Sequence, residues 1–159
     1  MQVTLEWHEY AMGAEVGKLR MLASIRRGSS HRYGMDRQGW TEHIEGACAE
    51  LAVAKTLGVY WDGSVDTFKG RPDLPGVEVR WRSRPEWDLI VRPDDDPDAW
   101  FVLVVGSCPT YTVVGAMRGR DARRDEWSQD YGGRPPAWFV PQAHLLPIEA
   151  MGYGRTTNE

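Results

Sequence analysis

The sequence predicts an α/β fold in which a mixed sheet of four or five strands is flanked by helices. Two observations lead to this prediction. Apolar residues recur at helical spacing over much of the first 57 residues, and short β-rich segments separated by Gly and Pro turns follow from residue 77 onward. With 159 residues, of which 42% are apolar, the chain can bury one core. We expect a single domain over residues 1–150 and a flexible tail over residues 151–159.

Two long helices are predicted in the N-terminal third of the chain. The first covers residues 4–27 and ends at a Gly-Ser-Ser sequence. The second covers residues 41–57, with Thr41 as its N-cap. Gly46 lies inside the second helix and costs it about 1 kcal/mol relative to Ala. A glycine at this position therefore predicts that another backbone, most simply the sheet, packs closely against the helix.

The strands are predicted from apolar and alternating segments bounded by turn residues. They cover residues 65–68, 77–82, 87–91, 100–106, 111–117 and 138–140. The run Phe101–Val105 is apolar throughout, which predicts a central strand that is buried on both faces. The aspartates at 94–98 predict a solvated connection between two strands. Asp121 is predicted to cap a short helix that follows the last long strand.

Composition limits the classes of protein to which the chain can belong. Its net charge of −4 is not that of a typical nucleic-acid-binding domain, although a local basic groove would be hidden in such an average. The basic residues are 16 Arg and 3 Lys. Arg suits bidentate phosphate contacts, and a GC-rich coding sequence explains the same bias. Two distant cysteines give no zinc pattern, and no apolar run is long enough to span a membrane. We therefore expect a cytoplasmic protein.

The candidate functional residues are acids and one base around the strand predicted at 77–82. Glu78 and Arg80 are two positions apart, so their side chains share one face of this strand. Asp73 precedes the strand across a Pro-Gly turn, and Glu50 lies on the second predicted helix. Paired carboxylates suit Mg²⁺, and a neighbouring cation can steady a phosphate.

This order of residues resembles the PD-(D/E)XK, or restriction-endonuclease-like, nuclease superfamily. The family pattern is a helix Glu, then an Asp, then Glu-x-Lys on the next strand. Glu50 matches the helix acid, Asp73 matches the first motif acid within Pro-Asp, and Glu78 matches the second. Arg80 stands where the family usually has Lys. The match covers residues 40 to 106, and the whole chain resembles small bacteriophage proteins.

The resemblance implies a restriction-endonuclease-like fold and a Mg²⁺- or Mn²⁺-dependent nuclease that cleaves DNA in phage DNA metabolism. Asp73 and Glu78 would ligate the metal together with the Val79 carbonyl, and Glu50 would ligate it directly or through water. We accordingly expect the three carboxylates to converge at the edge of the sheet. Arg80 stays protonated at ordinary pH, so it would hold a phosphate rather than act as a general base.

Several alternatives remain open at this stage. A nuclease-like fold could bind DNA or a phage protein without cutting, and a phage assembly factor would need no site at all. His43 is a candidate proton carrier or a structural residue, and Lys69 could bring an ammonium group from a loop. The arginines at 118–124 are either a nucleic-acid contact or a salt-bridged surface. The oligomeric state is also open, with a homodimer as one alternative.

Overall fold

The computed structural model describes residues 1–28, 38–65, 71–130, 132 and 135–153. Within these ranges it has a mixed α/β fold, as the sequence predicts. The elements in chain order are β1 (Gln2–Thr4), α1 (Trp7–Arg26), α2 (Gln38–Leu57), β2 (Val77–Arg82), β3 (Leu89–Val91), β4 (Trp100–Ser107), β5 (Thr110–Arg118), α3 (Gly119–Ala122), β6 (Ser128–Gln129) and β7 (Ala137–Val140). Three short 3-10 helices cover Asp125–Trp127, Gln142–His144 and Ile148–Met151. Neither long helix has the apolar stretch that crossing a bilayer would require.

The strands form two sheets rather than the single sheet predicted. The four-stranded sheet has the order β1-β5-β4-β2, in which β2 and β4 are parallel and the other neighbours are antiparallel. The three-stranded sheet has the order β3-β7-β6 and is antiparallel. The strand β3 pairs with β7, which comes much later in the chain. Such a long-range pairing leaves no local signal, because strand periodicity fixes faces but not partners.

Strand β4 is the centre of the molecule, and its burial on both faces is confirmed. Residues Phe101 to Val104 have no exposed surface. Val102 and Val104 pack with residues of α2 on one side, which we call the helix face of the four-stranded sheet. Phe101 and Leu103 pack with β3 and β7 on the other side, which we call the second-sheet face. Two separate hydrophobic clusters therefore lie on the two faces of one sheet.

The helices α1 and α2 pack closely, and the glycines responsible lie on α1. A Cβ atom added at Gly17 would lie 2.4 Å from Ile44 Cα, and one at Gly13 would lie 2.6 Å from Cys48 Sγ. A Cβ at Gly46 would meet no described atom within 4 Å. The prediction of a close backbone approach at Gly46 is therefore wrong. Instead, Gly13 and Gly17 on α1, which we call the glycine stripe, allow the two helices to approach closely.

Several predicted boundaries also change. The helix α1 begins at Trp7, after the Glu6 backbone N–H donates to Glu9 Oε2 over 2.7 Å, and the residues before it form β1. Because α2 begins at Gln38, Thr41 lies inside the helix and is not its N-cap. The helix α3 follows Arg118 without a side-chain cap, so Asp121 is not a capping residue.

Two further predictions concern the segment at 65–68 and the C-terminal tail. The strand predicted at 65–68 falls largely outside the described residues, and Val65 itself is in a loop. Met151 was assigned to the tail, yet it is buried in the helix-face cluster. Tyr153 donates its hydroxyl to the Pro75 carbonyl over 2.5 Å. The chain therefore stays packed against the turn before β2 as far as residue 153.

Candidate active site at the edge of the four-stranded sheet

Glu50 is a buried carboxylate in the middle of α2, with 6% of its surface exposed. The guanidinium of Arg20 on α1 donates to both of its oxygens, over 2.6 and 2.9 Å. The indole N–H of Trp61 donates to the same carboxylate over 3.1 Å. Burial of an ionised carboxylate requires this kind of compensation, and the bidentate geometry is the strongest form of it. Helix packing therefore fixes Glu50 in one orientation.

Asp73 is positioned by the turn that leads into β2. Leu74 and Val77 exchange backbone hydrogen bonds of 3.0 and 2.9 Å around Pro75 and Gly76. Asp73 Oδ2 accepts a hydrogen bond of 2.7 Å from the backbone N–H of Val79. Since β2 is an edge strand, this N–H points out of the sheet rather than toward β4. Asp73 therefore covers the open edge of the four-stranded sheet.

Glu78 and Arg80 lie on the second-sheet face. Arg80 donates to Glu78 Oε2 over 3.2 Å and to Asp95 Oδ1 over 2.9 Å, and its guanidinium lies 5.1 Å from the centre of the Phe101 ring. The loop at 94–98 was predicted to be a solvated connection. Instead, Asp95 turns inward, because it pairs with Arg80 and also accepts from the backbone N–H of Arg92 over 2.7 Å.

The three predicted acids do not share one face. The side chain of Glu50 comes from the helix face, whereas Glu78 alternates with the buried Val77 and Val79 and comes from the second-sheet face. Asp73 stands between them at the edge and interacts electrostatically with both carboxylates. The structure therefore places Asp73 at the sheet edge between Glu50 and Glu78, whose side chains come from opposite faces of the sheet.

Burial dominates the titration of these three acids. It raises the pKa of Glu50 to about 7, where Arg20 opposes the shift and the charge of Asp73 adds to it. Burial also raises the pKa of Glu78 to about 7, and the charge of Asp73 again adds to it. The pKa of Asp73 is raised by burial as well, although the hydrogen bond from Val79 opposes this. Burial, and for Glu50 and Glu78 the charge of Asp73, therefore disfavour the ionised form of these acids.

The charges of this region do not balance when all groups are ionised. The directly paired groups are four carboxylates and two guanidiniums: Glu50, Asp73, Glu78 and Asp95 with Arg20 and Arg80. The raised pKa values of Glu50 and Glu78 reduce this negative excess near neutral pH. Within the described ranges, no set of three or more His, Cys, Asp or Glu side chains is arranged to hold a metal ion. The region thus provides carboxylate pairs rather than a closed metal cage.

A pocket of about 200 Å³ lies beside Asp73. Among the described residues, its lining includes three arginines and one acid: Arg20, Arg27, His43, Ser64, Arg71, Pro72 and Asp73. Burial lowers the pKa of His43, and the positive charges of Arg20 and Arg27 lower it further. His43 is therefore a neutral imidazole at pH 7. Lys69, the other candidate from this part of the sequence, lies outside the described residues.

Sequence reasoning missed two of the residues that organise the site, Arg20 and Asp95. The signal for Arg20 is weak but real, because it lies one turn after Gly17 on the face that packs against α2. Asp95 has no comparable signal among its neighbouring aspartates. Glu45, another acid on α2, accepts from the hydroxyl of Tyr111 over 2.5 Å and from the backbone N–H of Cys108 over 3.1 Å. These bonds give Glu45 a structural role.

The arginines at 118–124 contact tryptophan rings and acidic side chains of the protein itself. Arg118 lies 4.5 Å from the centre of the Trp100 ring, and Arg120 pairs with Asp98. Arg123 and Arg124 stack on tryptophan rings at 5.2 and 4.6 Å. These contacts tie the arginines to the protein surface and support the structural interpretation of the cluster.

Comparison of the chain with protein-family models, with curated proteins and with solved structures finds no match. The functional interpretation therefore depends on the geometry and chemistry of the residues at the sheet edge.

Proposed function

We propose that the protein is a Mg²⁺- or Mn²⁺-dependent nuclease that hydrolyses DNA phosphodiester bonds at the edge of β2. The resemblance of Glu50, Asp73 and Glu78 to the PD-(D/E)XK pattern suggests this activity, together with a restriction-endonuclease-like fold. The observation that carries the proposal is the position of Asp73. Its carboxylate lies at the open edge of the sheet, and it interacts electrostatically with the acid on each side of it, Glu50 and Glu78.

The donor set fits a magnesium ion. Mg²⁺ prefers hard oxygen ligands, and it is usually held by one or two carboxylates, several waters and the phosphates of a substrate. A site of this kind needs no group of three protein ligands. Asp73 and Glu78 would hold the ion, and its positive charge would favour the ionised form of both carboxylates, whose pKa values are raised by burial. When bound, it would polarise the phosphate and supply a nucleophilic water at neutral pH.

Backbone geometry adds a third oxygen. The N–H and C=O groups of one strand residue point to the same side of the strand. The N–H of Val79 donates to Asp73 at the open edge, so the Val79 carbonyl points to that edge as well. This agrees with the family resemblance, in which the residue between Glu and Lys supplies a carbonyl ligand.

The two arginines position the acids. Arg20 holds Glu50 through both carboxylate oxygens, which suits Glu50 to a water-mediated contact rather than to direct ligation. Arg80 lies between Glu78 and Asp95 and fixes the orientation of Glu78. Because an arginine stays protonated, Arg80 accepts no proton in the reaction. Its positive charge would instead attract the substrate phosphate that binds beside Glu78.

One observation favours a second candidate function, a nuclease-like fold that binds DNA or a phage protein without cutting it. Arg80 replaces the family lysine and is engaged by Glu78 and Asp95, as expected of a structural ion pair. Likewise, Arg20 engages both oxygens of Glu50. A binding module would keep these pairs and have no specific divalent-metal site.

Cleavage of DNA in the presence of Mn²⁺ or Mg²⁺ tests the proposal. The wild-type protein should nick or degrade plasmid and linear DNA, and Asp73→Asn and Glu78→Gln should each reduce the rate by orders of magnitude. Glu86→Gln is the matched control, because Glu86 is an exposed acid outside the site. Equal cleavage by the wild type and both site variants would indicate a contaminant. DNA binding without cleavage under any metal condition would leave the binding module as the function.

A further inference from the structure

We propose that the basic pocket beside Asp73 binds one phosphate group of a DNA strand, next to the phosphodiester that is cleaved. The identification of the strand as DNA rests on the proposed function. Glu78 and Asp95 are not among the described residues that line the pocket, whereas Arg20 and His43 bring the two long helices to it.

The charges of the lining point to a phosphate. Three guanidiniums come from three places in the chain: Arg20 in α1, Arg27 directly after α1, and Arg71 in the segment before β2. A guanidinium offers paired N–H donors that match two oxygens of a phosphate. Burial is the first cause of the lowered pKa of His43, and the positive charges of Arg20 and Arg27 add to it. An anion is therefore the ligand that this pocket favours.

The cationic groups are held in place before any ligand arrives. The Nε–H of Arg20 donates to the Ser64 carbonyl over 2.9 Å, in addition to its bonds to Glu50. Asp62 pairs with Arg71 through Oδ2 and accepts from the backbone N–H of Ser64 through Oδ1, over 3.1 Å. The loop that carries Asp62 and Ser64 thus links two of the arginines. Such preorganisation reduces the ordering cost of binding.

Asp73 connects the pocket with the proposed cleavage site, because the same residue lines the pocket and covers the edge of β2. Successive phosphates of a strand are separated by one nucleotide. A strand that leaves one phosphate among the arginines and continues past Asp73 would bring a neighbouring phosphate toward Glu78. The pocket would therefore set the register of the strand relative to the carboxylates.

Fluorescence anisotropy with a labelled oligonucleotide in EDTA tests the pocket without cleavage. Arg71→Ala is the informative variant, because 62% of the Arg71 side chain is exposed and an exposed ion pair contributes at most about 1 kcal/mol to stability. The control is Arg120→Ala, which removes an equally exposed arginine, 61%, that also pairs with an aspartate. We expect Arg71→Ala to weaken binding about fivefold to tenfold and to reduce the salt slope by about one phosphate contact. Arg120→Ala should stay within about twofold of the wild type.

Oligonucleotides with a 5′-phosphate and with a 5′-hydroxyl distinguish the two sources of the phosphate. If the wild type prefers the 5′-phosphate and Arg71→Ala removes this preference, the pocket holds a strand end. If both oligonucleotides bind equally and both lose affinity in Arg71→Ala, the pocket holds an internal phosphate. Either result supports the proposal. Wild-type affinity and salt slope in Arg71→Ala, or no DNA binding by the wild type, would overturn it.

This experiment separates the pocket from the cleavage site. Binding that depends on Arg71 in a protein that never cuts DNA would reject the nuclease function and keep the pocket. If cleavage depends on Asp73 but DNA binding is unchanged in Arg71→Ala, the nuclease function is kept and the phosphate pocket is rejected.

Discussion

Arg20 on α1 and Glu50 on α2 are joined by two parallel hydrogen bonds, 2.6 and 2.9 Å long, across the interface of the two long helices. Only 20% of the arginine side chain and 8% of the glutamate side chain are exposed. Glu50 interacts electrostatically with Asp73, and Arg20 lines the basic pocket. One ion pair thus connects helix packing, the acids at the sheet edge and the proposed phosphate site.

Removal of Arg20 should destabilise the protein strongly. In Arg20→Ala the buried carboxylate of Glu50 loses its cation, and we expect the free energy of unfolding to fall by about 3–5 kcal/mol. The control is Lys18→Ala, which breaks the exposed pair with Glu15 and should cost at most about 1 kcal/mol. Urea denaturation at pH 7 measures both. Similar values for the two variants would show that the Arg20–Glu50 pair does not hold the helices together.

The glycine stripe on α1 gives a test of helix packing. Gly17→Ala should destabilise the protein by about 1–3 kcal/mol or more, because its Cβ would meet the backbone of Ile44 at 2.4 Å and His43 O at 2.6 Å. Gly46→Ala should instead stabilise it by up to about 1 kcal/mol, since the added methyl group meets no described atom and helix propensity improves. Thermal unfolding of the two variants compares the two sites directly. The packing described above would be wrong if their order were reversed.

The two cysteines should differ in reactivity. Cys48 is fully buried against α1, and burial raises the pKa of its thiol to about 12, whereas Cys108 is only partly buried. The thiolate of Cys48 is therefore nearly absent below pH 10. In Cys108→Ser, a thiol reagent at pH 8 should give no rapid reaction until urea unfolds the chain. Rapid labelling of the folded variant would contradict the burial of Cys48.

Substitutions at Arg80 distinguish an arginine that takes part in an active nuclease site from one that only forms a structural ion pair. Arg80→Ala leaves Glu78 and Asp95 without their shared cation, so we expect a loss of about 3 kcal/mol in stability. Arg80→Lys keeps a positive charge and restores the residue usual in the PD-(D/E)XK pattern, so cleavage should be retained and stability should fall less. Melting temperatures and cleavage rates of the two variants, with and without Mg²⁺, measure both effects. A dead site would show the stability loss in Arg80→Ala with no cleavage and no metal stabilisation in any variant.

Much of the fold follows from local sequence patterns, because helical spacing and strand alternation are set within a few residues. The burial of Phe101–Val105 could be predicted because every residue of this run is apolar. The order of Glu50, Asp73 and Glu78 likewise indicated the position of a candidate site. The pairing of β3 with β7 and the inward turn of Asp95 depend on contacts between distant parts of the chain. No periodicity records such contacts. The positions of Glu50 and Glu78 on opposite faces of the four-stranded sheet could not be predicted either, because a helix pattern and a strand pattern each define a face but not how the two faces are placed relative to each other.

Calorimetric titration with Mg²⁺ tests the central claim most directly. The account predicts one saturable divalent-cation site in the wild type, lost in Asp73→Asn and kept in Asp98→Asn, where the substituted acid is exposed and pairs with Arg120 on the surface. Circular dichroism of the variants verifies that the fold persists. Absence of saturable binding in the wild type, or equal binding by Asp73→Asn and Asp98→Asn, would contradict a metal site at the edge of β2.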